Sequence, residues 1–435
     1  MLLTQYYPPE TGAPQARLAD LARRLSAHGH EIEVVTAMPN YPTGSIFPGW
    51  RGLLLGAERD GGQVVLRSWL YTSPRPSTPR QLATYGSFAT TAALTAPLRL
   101  RRADVLLWES PPLFLAPTAA LLRRRLGARL VMNVSDLWPQ SAVDLGVLRS
   151  RRLLSLLEGW ERWAYASADL VTYQTEGIGA GIERRAPAAR RALFPNGVDL
   201  DRFRRRPARP ELRAQLGLPE SGPVVGYAGN FGRAQSLEQV VDAAALLEAG
   251  GSPATFLLVG DGPRRQHVEE RARSLGLAHV RFSRPWPASQ MPELLSLFDA
   301  AVVPLADAPV FAGARPSKMF ELLAVGVPFV YCGRGEGAAL AQASGAALVV
   351  DPEDPPALAG AIARLLALGK EERQAWSGRG RQFVALHFDR ARIAHDLERQ
   401  LVELVAGGRH GNRARHRSAH AASRSTTAPA APPAP

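Results

Sequence analysis

The chain has 435 residues, 46% hydrophobic and 21% charged, which excludes a fibrous or wholly disordered polypeptide and points to two globular domains of about 200 residues each. Its formal charge of +13 suits an anionic partner, but the last 27 residues hold five arginines and no acid, leaving +8 for the rest. One cysteine, Cys332, excludes an intramolecular disulfide, and the lack of a basic helix interleaved with aromatics, of zinc spacing and of an RNA-binding signature argues against nucleic acid as a partner.

The opening MLLTQYYPPE has neither the charged nor the apolar segment of a secretory signal, so a cytoplasmic protein is expected. Short β-branched or leucine-rich runs alternate with longer helical patterns from end to end, the signature of parallel βαβ units. In the first half this rhythm predicts strands at 2–6, 31–36, 64–69, 104–108, 129–134 and 170–173. After the first comes YYPPETGAP, in which Gly12 precedes a helix over 14–28 with Leu18, Leu21, Ala22 and Leu25 at helical spacing and Gly29 as its stop. A glycine there lets backbone amides and a helix N-terminus approach a phosphate, although many such turns carry glycine for structural reasons alone. Asn40 and Tyr41, after the second strand, could bond to and stack on an acceptor sugar.

The longest uncharged run, 82–98, contains Thr, Ser, Gly and Pro97 and is too polar for a membrane span. Flanked by Arg80, Arg99 and Arg102, it suits a helix on an anionic membrane surface, and equally one packed on a sheet. Asp136 follows the strand RLVMNVS, where its carboxylate either orients an acceptor hydroxyl or caps the next turn.

A Pro- and Arg-rich connector at 202–210 opens a second series: PVVGYAG, TFLLVGDG, HVRFS, AAVVPL, VPFVYC and ALVV. Both series share one rhythm, which predicts an α/β protein of two Rossmann-like domains facing across a cleft, with ligands beyond the C-terminal strand ends. Residues 1–196 form the first domain, 197–387 the second, a helix at about 388–406 returns to the first, and 407–435 reads as a disordered basic tail. In LLVGDGPRR the Gly260-Asp261-Gly262 turn repeats the glycine design. The loop Ser283-Arg284-Pro285-Trp286 is placed to meet a nucleobase, or Trp286 simply packs.

ARPSKMFELLAVGVPF holds one of only two lysines in a chain with 50 arginines. Pro316 opens a helix there, Met319, Leu322 and Leu323 face inward, and Gly326 with Pro328 ends it. Lys318 and Glu321 share one side of its first turns. They either form a surface salt bridge, worth about 0–1 kcal/mol, or grip a nucleotide. In the second case the helix N-terminus, with Ser317 and Lys318, takes the diphosphate and Glu321 the ribose hydroxyls.

These stretches, with AMPNYPTG, SDLWPQSAVDLG, FPNGVD and YAGNFGRAQSLE, make the chain resemble glycosyltransferase family 4 of GT-B fold. Within that family it is similar to the branch of L-fucosamine transferases of O-antigen and capsule assembly. The resemblance implies sugar transfer from a UDP- or GDP-sugar with retention of configuration, no cofactor, and no metal in the site. It implies a saccharide acceptor linked to polyprenyl diphosphate, met at the inner face of the plasma membrane. Glu321 matches the second glutamate of the family's E-x7-E motif; the first falls at Gly313 and is missing. An Arg and a Lys usual after the first strand of the second domain are here Asn230 and Gln235, so Arg233 and Lys318 would serve the phosphates. Asp199-Leu200-Asp201 fits the D-x-D pattern of metal-dependent transferases, but in a connector where chance matches are common. A GT-B nucleotide-sugar epimerase is the alternative enzyme, and a basic nucleic-acid binder the non-enzymatic one.

Overall fold

A computed structural model describes residues 1–424 apart from 42, 76, 101, 145–147, 149, 208 and 209. The first half contributes β1 (Leu2–Leu3), β2 (Glu33–Ala37), β3 (Leu55–Asp60), β4 (Gln63–Ser68), β5 (Val105–Ser110), β6 (Arg129–Val134), β7 (Leu170–Tyr173) and β8 (Arg191–Leu193). They pair in the order β3-β4-β2-β1-β5-β6-β7-β8, all parallel except the β3/β4 edge. The second half contributes β9 (Val224–Ala228), β10 (Thr255–Val259), β11 (Val280–Ser283), β12 (Ala300–Pro304), β13 (Phe329–Cys332) and β14 (Ala347–Val350), in the order β11-β10-β9-β12-β13-β14. Both sheets are doubly wound, with order reversing between β1 and β5 and between β9 and β12, so a crevice opens beyond each pair of strand ends.

β6 and β7 lie where the apolar runs put them, and each run of the second series forms a strand. β1 stops short of the expected 2–6 because Thr4 turns the chain, its hydroxyl donating to Tyr6 O at 3.2 Å. Sequence periodicity missed β3 and β8. The β3/β4 hairpin did leave a signal: Gly61 and Gly62, at φ +53° and +89°, supply the two left-handed residues that a tight two-residue turn requires.

The run at 82–98 lies within helix Thr78–Arg99. Phe88, Ala89, Ala92 and Ala96 bury against the first sheet and helix Ala116–Leu126, which settles the packed face. Its outer face leaves Leu94 and Leu98 67% and 77% exposed. Among the described residues no helix is long and apolar enough to cross a membrane.

The chain crosses between halves twice, and the crossings touch. Val198 N donates to Phe388 O at 2.9 Å and Arg390 N to Val198 O at 3.0 Å. Gly197 permits this approach, since a Cβ there would press on Phe388 O and lie 2.7 Å from Ile393 Cδ1. Gly197→Ala is therefore expected to cost about 1–3 kcal/mol, read as a lower midpoint in denaturant unfolding. From this junction helix Arg390–Arg424 returns to the first half, where Ala394, Leu397 and Leu404 pack with Leu18, Leu21, Ala22 and Leu25. Its backbone runs on as helix past 407; residues 425–435 of the expected tail lie outside the described residues.

Candidate active site

Helix Ser317–Val325 begins at the C-terminal end of the second sheet, and Pro316 before it provides no side-chain cap. The first amides of a helix lack intrahelical partners, so the Ser317 end is an uncapped, positively polarised terminus. Met319, Phe320, Leu322 and Leu323 bury into the core and fix the helix rotation, leaving Lys318 and Glu321 half-buried on the remaining side.

Lys318 Nζ stands 3.9 Å from the centroid of the Tyr227 ring, which is buried at the end of β9. The ring face attracts the ammonium, and Gly229 makes room, because a Cβ there would sit 2.7 Å from Nζ. Lys318 thus follows β12 in sequence but reaches β9, the strand pair where the sheet order reverses. Burial lowers its pKa to about 7, partly countered by the charge of Glu321. Burial also pushes the Glu321 carboxyl up, opposed by the charges of Arg390, Arg202 and Lys318. Each charge thus favours the ionised form of the other.

Two glycine turns wall this crevice. Gly229 and Gly260 end β9 and β10 at φ +154° and +147°, and a Cβ on Gly260 would overlap Gly229 O, so the turns pack backbone on backbone. Asn230 is exposed beside them: Tyr227 OH donates to its carbonyl at 2.5 Å, and a Cβ on Gly262 would lie 2.5 Å from its Oδ1. Arg233 faces instead a separate depression of about 510 Å³ shared with Arg264 and Glu353. Arg284 is exposed beyond β11, and Trp286 packs on the second-half core, the plainer of its two readings.

From the first half, Asp136 is exposed and joins Gln174, Thr175 and Asn196 against Phe311, Gly313 and Arg315 of the second half, around a cleft of about 440 Å³. Gly12 is the N-cap of helix Ala13–Ala27, with extended backbone and the Gln15 side chain over the place of its Cβ. Asn40 is buried, and its amide nitrogen donates to Met38 O at 3.0 Å and Glu10 Oε1 at 3.3 Å, which leaves it holding its own loop rather than offering donors to a sugar. Tyr41 is exposed at the surface, its ring edge-on to Tyr6 at 5.8 Å.

Residues 12–197 match the Glycosyl transferase 4-like domain and residues 208–383 the Glycosyl transferases group 1 domain. The putative colanic acid biosynthesis glycosyl transferase WcaI of Escherichia coli (strain K12) is 30% identical over 84% of this chain and 91% of that protein. The chain belongs to glycosyltransferase family 4. This transferase is also 26% identical, over 88% of its length and 93% of the relative's, to a GDP-mannose-dependent alpha-(1-6)-phosphatidylinositol monomannoside mannosyltransferase of Mycobacterium tuberculosis. Its GT-B fold is shared with Anabaena HepE, crystallised with UDP-glucose, at a TM-score of 0.66 and 17% identity over 92% of this chain and 99% of that one.

Several residues that shape the transferase cleft escaped the sequence reading. Glu10 accepts from the amides of Tyr7, Asn40 and Tyr41 at 3.2, 2.8 and 2.8 Å and so fixes the loop after β2; it sat in plain view in YYPPETG. Glu336 reaches across the cleft, accepting from Gly177 N at 2.6 Å and pairing with Arg315 at 2.6 Å. A Cβ on Gly313 would lie 3.9 Å from Glu336 Oε1, so a carboxylate stands near the position where the family's first glutamate is missing. Asp199, of the D-x-D match, accepts from the backbone of Asp201 and Arg202 and pairs with Arg23 and Arg24, which makes it a turn cap in the connector.

Proposed function

We propose that this chain is a retaining, metal-independent glycosyltransferase that moves a sugar from a UDP- or GDP-sugar to a saccharide carried on polyprenyl diphosphate, at an anionic membrane face. The observation that carries the reading is Lys318 beside an uncapped helix N-terminus at the reversal point of the second sheet, with Glu321 one turn on. The departing diphosphate gathers negative charge as the glycosidic bond breaks, and preorganised donors aimed at that charge lower the barrier. Lys318 and the first amides of helix Ser317–Val325 supply them, while Glu321 accepts from the ribose hydroxyls. Across the cleft Asp136 orients the acceptor hydroxyl.

The name of the mycobacterial relative specifies GDP-mannose and a lipid-borne acceptor, which supports both halves of the reading. Exposed Leu94 and Leu98 on helix Thr78–Arg99 and Leu156 and Trp163 on helix Arg151–Ser167, with exposed Arg99, Arg151 and Arg152, suit shallow insertion among anionic headgroups.

Incubation with a panel of nucleotide-sugars and a polyprenyl-diphosphate saccharide in anionic vesicles tests the proposal. One donor is expected to give a product of unchanged anomeric configuration, at a rate indifferent to EDTA. Leu94→Asp with Leu98→Asp should reduce vesicle binding and transfer to the lipid acceptor while leaving donor hydrolysis in place. An inverted product, loss of activity with EDTA, or epimerisation of the donor without an acceptor would contradict it.

A further inference from the structure

At the end of the first sheet opposite the cleft, four side chains converge that play no part in donor binding. His28 and His30 lie between helix Ala13–Ala27 and the start of β2, at the N-terminal strand ends, and His395 and Glu398 lie three apart on one face of helix Arg390–Arg424. His28 Nδ1 is 2.7 Å from Glu398 Oε2 and His395 Nδ1 is 3.7 Å from the same oxygen. His30 Nε2 is 2.7 Å from the other oxygen, Oε1. One ligand atom from each of His28, His395 and Glu398 lies within 4.8 Å of the others.

Three imidazoles are more than one carboxylate needs as hydrogen-bond partners. We propose that His28, His395 and Glu398 hold one zinc ion, which pins the closing helix to the first helix. Imidazole nitrogens with a single carboxylate favour zinc over calcium or magnesium, which take oxygen ligands. Bond lengths of about 2.0–2.2 Å require only small side-chain movements from the observed separations. His30 then plays the outer role, holding Oε1 so that Oε2 faces the ion. His28 and His395 are 45% and 69% exposed, so an ion and a completing water can enter. Neither H-x-H nor H-x-x-E looks like a zinc motif alone; residues 370 apart complete the set.

Untagged full-length protein, stripped with EDTA, would be titrated with zinc by calorimetry and with cobalt by visible absorption, and melted with and without zinc. One ion per chain is expected at this cluster, with a zinc-dependent rise in melting temperature reversed by EDTA. His395→Ala should weaken that binding at least tenfold and abolish the rise, while the metal-free melting temperature stays unchanged because this side chain is largely exposed. Glu398→Gln, which keeps hydrogen-bonding capacity but not charge, should lose the ion as well. The other histidines, His410, His416 and His420 of the tail among them, are common to all variants and cancel. Equal stoichiometry and affinity in the wild type and either variant, or no zinc-dependent rise in the wild type, would overturn the proposal.

Discussion

Lys318→Ala is expected to lower kcat for sugar transfer by roughly 10²–10³-fold, the scale found when one preorganised donor to a developing oxyanion is removed. The nucleotide should still bind, since Glu321 and the helix amides remain, so the loss falls on turnover more than on affinity. The lysine's depressed pKa adds a signature of its own. With a value near 7 in the free protein, the side chain is largely charged at pH 6 and largely neutral at pH 8. A bound diphosphate draws the proton back, so nucleoside diphosphate binding should take up close to one proton at pH 8 and little at pH 6. Calorimetry in buffers of different ionisation enthalpy reads this directly; Lys318→Ala should abolish the difference.

The same lysine bears on stability. Its folded pKa lies below the 10.5 of an ordinary lysine, so between about 7 and 10.5 the unfolded chain binds the proton more tightly. Its cost to the fold is therefore complete below about pH 7 and fades as pH rises toward 10.5. Lys318→Met should raise the melting temperature of the ligand-free protein at pH 6 while removing activity, the behaviour of a residue retained for chemistry rather than stability.

Glu321→Ala is the second large effect, and it falls on affinity. Two charge-assisted hydrogen bonds to ribose hydroxyls contribute roughly 1.5–3 kcal/mol each, so the nucleoside diphosphate dissociation constant should rise by about 10² or more. Arg390 and Arg202, which favour the ionised carboxylate, would also lose a partner charge. A nucleotide lacking the 2′ and 3′ hydroxyls isolates the contact: wild type should bind it about as weakly as the variant binds the intact nucleotide, and the variant should discriminate little between the two. Full discrimination by Glu321→Ala would place the ribose elsewhere.

Much of this was legible in the amino-acid sequence where chemistry and punctuation coincide. Pro316 and Gly326 bracket the helix proposed to carry the donor site, and Lys318 stood out because arginine supplies almost every other cation. β6 and β7 were readable because strands buried on both faces are nearly continuous apolar runs. β3 was not, since its Leu-Gly-Ala-Glu-Arg-Asp is an exposed edge with little apolar content, and only the Gly61-Gly62 turn betrays it. Asn40 looked like a free polar group because its partner Glu10 comes from a different loop. Tyr227 read as an ordinary strand residue; that Lys318 crosses the reversal point to reach it depends on strand order, which local pattern does not encode. Glu336 and the histidine cluster share that origin, each completed by residues more than a hundred positions away.

A crystal structure of the full chain with UDP or GDP bound would show where the nucleotide sits. Lys318 Nζ and the amides at the start of helix Ser317–Val325 are expected within hydrogen-bond distance of the diphosphate, and the Glu321 carboxylate on the ribose. A nucleotide seated away from that helix, with Lys318 still stacked on Tyr227 and touching no phosphate, would contradict it.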